Sequence, residues 1–109
     1  MTKVTIYKNS ENVCVGFDVV GHAGYAEEGE DIACAAISIL VINTMNAIET
    51  YTDVTFSQEA DGEVGSITYR IEDPTKETTL LLDTMVLGLQ SLEDNELYTD
   101  YIDLIFEEV

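Results

Sequence analysis

The chain of 109 residues has the size of one small domain with a single hydrophobic core, so we expect one domain over residues 1–109. It carries 22 Asp and Glu against four Lys and Arg, a net charge of −18 at neutral pH. A surface of this sign repels phosphate, which excludes direct binding of nucleic acid, and it attracts basic polypeptides. No apolar run reaches the roughly 18 residues of a membrane span and no secretory signal opens the chain, so we expect a soluble, cytoplasmic protein without a membrane contact.

The first 20 residues alternate between polar and apolar side chains, which is the pattern of strands. Residues 3–8 and 12–20 form a predicted hairpin, and one face of its second strand is expected to be buried through Val13, Val15, Phe17 and Val19. Residues 21–31 contain glycines and acids in place of this alternation, which predicts a surface loop.

A helix is predicted from Ile32 to about Tyr51, with Asp31 as its N-cap. Its sequence carries almost no charge before Glu49. We therefore expect the helix to be buried over most of its circumference.

The rest of the chain repeats the pattern of two strands and a helix and ends on a strand. Strand patterns cover residues 53–58, 63–72 and 98–106, and apolar residues at helical spacing cover residues 76–93. The order β-β-α-β-β-α-β predicts an α+β fold, a sandwich of a mainly antiparallel sheet and two helices.

A histidine and a cysteine could form a catalytic pair. His22 is the only histidine of the chain and precedes Cys34 by twelve positions. A thiol becomes a nucleophile when it ionises, and a helix N-terminus and a neighbouring imidazolium both favour the thiolate. The predicted helix start puts Cys34 in the first turn, where unpaired backbone N–H groups stabilise the sulfur and can hold an oxyanion. The pair predicts attack on a carbonyl, with no cofactor.

Three neighbouring residues could support this pair. Asp31 either caps the helix or orients the imidazole of His22. Ser38 lies one turn after Cys34, where its hydroxyl either bonds the carbonyl four residues back or contacts the histidine or a substrate. Gly21 is expected to allow a close backbone approach or an unusual dihedral angle at the end of the strand.

The two cysteines could also have a structural, metal-binding or redox role. A cysteine in an apolar helix is often a small core residue. Cys14 is out of phase with the predicted buried face of Val13, Val15 and Phe17 and is interpreted as structural. Cys14, His22 and Cys34 could together bind zinc, although their spacings match no closed zinc pattern, or the two thiols could form a redox-responsive pair.

Two short segments closely resemble the signature of the ribosomal-processing cysteine protease family, Prp. They are GHA at residues 21–23 and DIACAAIS at residues 31–38, which flank a short acidic segment with glycines. The resemblance implies a small α+β homodimer whose catalytic pair falls on His22 and Cys34. It also implies that residues 24–30 form a lid over the site.

Proteins of this family remove a short N-terminal extension from protein twenty-seven of the large ribosomal subunit in Firmicutes and related bacteria. The resemblance therefore implies a cysteine endopeptidase whose partner is the leader peptide of a basic ribosomal protein. The acidity of this chain suits such a substrate, although acids also serve solubility alone. A different class of protein remains as an alternative, a non-catalytic acidic module that binds a basic ribosomal protein.

Overall fold

A computed structural model describes residues 1–21, 28–62 and 65–109, with the backbone alone for residues 28–30. The elements follow the predicted order: strands β1 (Thr2–Lys8) and β2 (Cys14–Val20), helix α1 (Glu28–Tyr51), strands β3 (Phe56–Asp61) and β4 (Ser66–Ile71), helix α2 (Lys76–Glu93) and strand β5 (Ile102–Glu108). The sheet has the strand order β3-β4-β2-β1-β5, in which β1 and β5 are parallel and the other neighbours antiparallel. The predicted α+β fold with a mainly antiparallel sheet and two helices is confirmed.

The core lies between one face of the sheet and the two helices. Tyr69 stands at its centre, stacked on Phe17 with ring centroids 5.2 Å apart and on Phe56 with centroids 5.5 Å apart. Burial raises the pKa of Tyr69 to about 12, with a further contribution from the charge of Glu49. The helices supply the opposite side of this core through buried apolar residues at helical spacing, namely Ile37, Val41, Ile48, Leu82, Met85 and Leu89.

The buried face of β2 differs from the prediction in its first half. Tyr7 of β1 is opposite Gly16, but Lys8 is opposite Cys14, so Val15 is an extra residue in the ladder. This bulge puts Cys14 on the core face with Phe17 and Val19, whereas Val15 is only half-buried. The expected burial of Val13 and Val15 on that face is therefore wrong, because the strict alternation is broken. The structural role predicted for Cys14 is confirmed by its complete burial.

Helix α1 begins earlier than predicted, at Glu28 instead of after Asp31. Acidic residues are favourable in the first turn of a helix because they complement the positive end of its dipole. Three of the acids that suggested a loop, Glu28, Glu30 and Asp31, therefore belong to the helix. Asp31 is the fourth helical residue, so the prediction that it is the N-cap is wrong, and Cys34 is the seventh residue instead of a residue of the first turn.

The outer side of α1 is exposed, contrary to the expectation that most of its circumference is buried. Ile32, Ile39 and Ile42 retain 48%, 70% and 46% of their accessible surface. Together with the exposed Ala35 they form what we call the α1 outer stripe. Contrary to the expectation that no apolar run is long enough for a membrane span, the stretch Asp31–Tyr51 would suffice by length and composition alone. Core helices of soluble proteins pass the same test.

The face of the sheet away from the helices carries a polar cluster of three side chains. Arg70 donates to an oxygen of Asp18 at 3.0 Å, Tyr7 donates to the other oxygen at 2.7 Å, and the guanidinium of Arg70 lies 4.2 Å from the centroid of the Tyr7 ring. Burial opposes ionisation of Asp18, but the hydrogen bonds from Arg70 and Tyr7 and the charge of Arg70 outweigh it and lower the pKa of Asp18. The cluster ties β1, β2 and β4 together.

We expect Asp18→Asn to lower the free energy of unfolding at pH 7 by about 1 kcal/mol, because the ion pair is partly exposed to water. A carboxylate whose folded pKa is depressed stabilises the fold above its unfolded pKa, near 3.8, and this stabilisation is lost as the pH falls through the folded pKa. Urea unfolding of the two proteins between pH 7 and pH 2 should show the difference shrinking below about pH 4. A stability difference that does not change with pH would contradict the role of the charged pair.

Candidate active site

Cys34 lines a cavity of about 250 Å³ between α1, the end of β2 and the β3–β4 turn. Ser38 stands beside it on α1, one helical turn further along. The other side of the cavity is formed by residues of the sheet and its turns: Thr2, Val19, Gly21, Ala60, Asp61, Gly62, Gly65, Ser66 and Ile67. The structure therefore brings together three of the predicted site residues, Gly21, Cys34 and Ser38.

The thiol of Cys34 is free and half-buried, as a nucleophile that meets a substrate requires. Its backbone N–H, however, is not available to a ligand. In an α-helix that begins at Glu28 the N–H of residue 34 bonds the carbonyl of residue 30, and the unpaired N–H groups lie a turn earlier. The expectation that backbone N–H groups around Cys34 hold an oxyanion is therefore wrong.

Ser38 lines the cavity, and its hydroxyl makes no hydrogen bond to another described residue. Thr44 and Thr52 follow on the helix and its end, and each donates its hydroxyl to the carbonyl four residues back at 2.7 Å. Ser38 makes no bond of this kind to any described residue. The predicted bond to the carbonyl four residues back is therefore not formed, and contact of Ser38 with the histidine or a substrate stays a prediction.

Gly21 holds the end of β2 against the neighbouring hairpin. Its N–H donates to the carbonyl of Gly65 at 2.9 Å. A Cβ at this position would lie 3.5 Å from the Thr2 hydroxyl and 3.6 Å from the Gly65 carbonyl, which is ordinary contact, and its φ is outside the left-handed region. The predicted need for a close approach or an unusual dihedral angle is therefore wrong.

His22 and the predicted lid at residues 24–30 lie outside the described residues, except that the backbone of residues 28–30 is helical. Gly21 directly precedes His22 and lines the Cys34 cavity. The residue that precedes the histidine in the sequence is therefore part of the wall of this cavity. Asp31 is exposed on α1 and is not among the residues that line the cavity.

Sequence reasoning missed the part of the site that comes from distant strands. Thr2 is 1% exposed, and its hydroxyl has no hydrogen-bond partner among the described residues. Ala60, Asp61 and Ser66 come from the hairpin of β3 and β4, more than twenty residues after Cys34. No motif marks these residues, because only the pairing of the strands brings them to α1.

The two cysteines lie towards opposite ends of β2. Cys14 begins β2 and Cys34 faces its other end, next to Val19 and Gly21. Five residues of strand span about 17 Å, whereas disulfide partners have Cα atoms within about 7 Å of each other. Burial also raises the pKa of the Cys14 thiol. This geometry argues against the zinc site and the redox pair that the sequence left open.

Comparison with known proteins places this fold and site among cysteine proteases. The family model of the cysteine protease Prp matches residues 1–103. The ribosomal processing cysteine protease Prp of Staphylococcus aureus is 33% identical over 95 residues, covering 86% of this chain and 90% of that protein. The Bacillus subtilis protein of the same name is 29% identical over 100 residues, covering 85% and 88% of the two chains.

Solved structures agree with the sequence comparison. The essential ribosomal processing protease Prp of S. aureus in complex with a substrate peptide superposes with a TM-score of 0.90 at 30% identity, over 98% of this chain and 100% of that one. The same enzyme with a covalently linked product peptide superposes with a TM-score of 0.85 at 32% identity, over the same shares of the two chains.

The fold and the half-buried thiol in a cavity are thus those of a cysteine protease. Within that class, the chain belongs to the Prp family.

Proposed function

We propose that this protein removes the N-terminal extension of protein twenty-seven of the large ribosomal subunit, with Cys34 as nucleophile and His22 as proton carrier. The observation that carries the proposal is the cavity, which has the free thiol of Cys34 on one wall and Gly21, the neighbour of His22, on another. Relatives named ribosomal processing proteases, and one that is solved with a substrate peptide, support the choice of substrate class.

The reaction follows from these groups. The Cys34 thiolate attacks the scissile carbonyl carbon, and the carbonyl π electrons move onto oxygen. As the C–N bond breaks, the His22 imidazolium gives its proton to the leaving amine, and a thioester to Cys34 remains. Neutral His22 then takes a proton from water, which attacks the thioester and releases the carboxylate and the thiol.

Ser38 supports substrate binding in this proposal. Its hydroxyl lines the cavity one turn from Cys34 and has no bonding partner in the described part of the chain, so it can donate to a substrate carbonyl. Donors aimed at the developing oxyanion are among the largest contributions to such catalysis. Asp31 is placed one turn before Cys34 on the same helix, where its charge favours a basic peptide more than a thiolate.

The charge of the protein agrees with a basic leader peptide. A net charge of −18 attracts basic chains and accelerates their encounter at low salt. We propose that the protein acts in the cytoplasm, where a reducing medium keeps the thiol free.

The direct test is incubation with a synthetic peptide that carries the ribosomal leader and the first residues of the mature protein, followed by mass spectrometry. We expect two products that meet at one peptide bond, with a peptide of the same composition in scrambled order left intact. Binding without any cleavage at high protein concentration would contradict the protease and support the alternative, the acidic binding module.

We also propose that the protein is a homodimer that pairs through the α1 outer stripe. The stripe repeats apolar residues at spacings of three, four and three, as in the seam between two packed helices. It contains no charge, so two copies of a strongly acidic chain can meet there without placing like charges in contact. This neutral, apolar surface is therefore suited to contact with a second copy of the chain.

Ile39→Glu should convert the dimer to a monomer, because it puts a charge at the most exposed position of the stripe. Leu97→Glu is the matched control, since Leu97 is 73% exposed and lies outside the stripe. Sedimentation at micromolar concentration measures the result. A 12 kDa species for the unmutated chain, or a dimer that survives Ile39→Glu, would contradict this interface.

A further inference from the structure

Strand β3 forms one edge of the sheet, and its outer side has no neighbouring strand among the described residues. Among the described strands β3 pairs with β4 alone. Glu72 donates its N–H to the carbonyl of Thr55 at 2.9 Å, and in an antiparallel ladder every second residue points its backbone to the same neighbour. Ser57, Glu59 and Asp61 therefore bond towards β4. Phe56, Gln58 and Ala60 point their N–H and C=O groups away from the sheet.

The outer edge of β3 ends at the cavity of the candidate nucleophile. Ala60 and Asp61, at the end of β3, line the cavity of Cys34. A second depression of about 970 Å³ runs along the hairpin and is lined by Glu59, Ala60, Asp61, Gly62, Ser66 and Thr68. The two share Ala60, Asp61, Gly62 and Ser66, so both adjoin the end of this hairpin, where β3 reaches the cavity of Cys34.

The composition of the edge is suited to an extended basic chain. Natural edge strands are commonly protected from pairing by Lys or Pro, and β3, with the sequence FSQEAD, has neither. Its only charges are Glu59 and Asp61. An incoming strand with basic side chains would meet opposite charge, whereas an acidic strand would be repelled.

We propose that the peptide substrate binds as an added strand on the outer edge of β3, which delivers its scissile bond to Cys34. The inference rests on the proposed protease function and specifies how that function holds its substrate. Gln58 and Ala60 provide hydrogen bonds about 6.8 Å apart, the repeat of every second residue in a strand. Glu59 is exposed and lines the second depression, where its carboxylate can pair with a basic residue of the leader.

The test is a scan of N-methylated substrates with the unmutated protein. Each peptide has one backbone amide methylated, which removes one N–H without changing the side chains. If the peptide adds as a strand, methylation of every second amide should lower kcat/KM, and methylation of the amides between them should change it little. We expect a fall of about three- to tenfold at the sensitive positions, because a lost hydrogen bond costs about 0.5–1.5 kcal/mol. Equal effects at all positions, or none, would overturn the proposal while leaving the protease function intact. If the unmethylated peptide is not cleaved at all, the proposed function fails and this inference fails with it.

Proline variants test the same edge from the protein side. Gln58→Pro removes an outward N–H without removing a bond to β4, and we expect kcat/KM to fall about tenfold or more through KM. Glu108→Pro is the matched control at the other edge of the sheet. At that edge the N–H of Val109 donates to the carbonyl of Lys8, so the N–H and C=O of the preceding residue, Glu108, point away from the sheet. We therefore expect Glu108→Pro to leave cleavage unchanged. Should Gln58→Pro fail to fold, the N-methyl scan decides alone. Unchanged cleavage by a folded Gln58→Pro protein, or loss of dimer in its sedimentation, would overturn the proposal.

Discussion

Cys34→Ala is expected to abolish peptide cleavage and to leave the fold intact. The thiol is half-buried at a cavity wall, so its removal leaves no void in the core, and we expect the free energy of unfolding to change by less than about 1 kcal/mol. Loss of the nucleophile from a Cys–His pair removes the covalent step, so kcat should fall by about three orders of magnitude or more. Rates from peptide cleavage and stability from urea unfolding measure the two quantities.

Cys14→Ala is the matched control for this variant. Cys14 is fully buried in the core, where its thiol donates to the carbonyl of Gly16 at 3.5 Å. Its removal should cost about 1–2 kcal/mol of stability and leave kcat nearly unchanged. Iodoacetamide should modify Cys34 first, because burial shields Cys14 and raises its pKa. Cleavage that survives in Cys34→Ala, or that is lost in the folded Cys14→Ala protein, would reverse the assignment of the nucleophile.

Gly16→Ala is expected to have the largest effect on stability. A Cβ on Gly16 would overlap the carbonyl oxygen of Tyr69 and lie 3.1 Å from the Cα of Arg70. Both atoms belong to the backbone of β4, the central neighbour of β2, so the clash cannot be relieved by turning a side chain. The strands must separate at the middle of the sheet, and we expect a loss of about 3 kcal/mol or more.

Gly62→Ala separates this steric effect from the general cost of replacing glycine. A Cβ at Gly62 would meet no atom of the described residues within 4 Å, and the φ of Gly62 is outside the left-handed region. We expect its free energy of unfolding to stay within about 0.5 kcal/mol of the unmutated protein. Urea unfolding of both variants tests the contrast, and a Gly16→Ala protein as stable as Gly62→Ala would contradict the packing at Tyr69.

Much of the fold was predictable because its signals are local. Alternating residues marked the strands, and the spacing of Leu81, Met85 and Leu89 predicted a helix whose observed bounds, Lys76–Glu93, agree with those predicted. A capping box between Thr75 and Thr78 starts that helix where the pattern begins. The start of α1 was missed because acids and glycines are common both in loops and in the first turn of a helix.

The sequence by itself determined the class of fold, the acidic surface and the two residues proposed as the catalytic pair, His22 and Cys34, since each depends on composition or on neighbours along the chain. Only the tertiary structure decided which groups surround the thiol. Thr2, Ala60 and Ser66 reach the cavity through strand pairing between distant segments, and a bulge in β2 decided that Cys14 is a core residue. Strand register and helix packing depend on the whole sheet, so no local pattern carries that information.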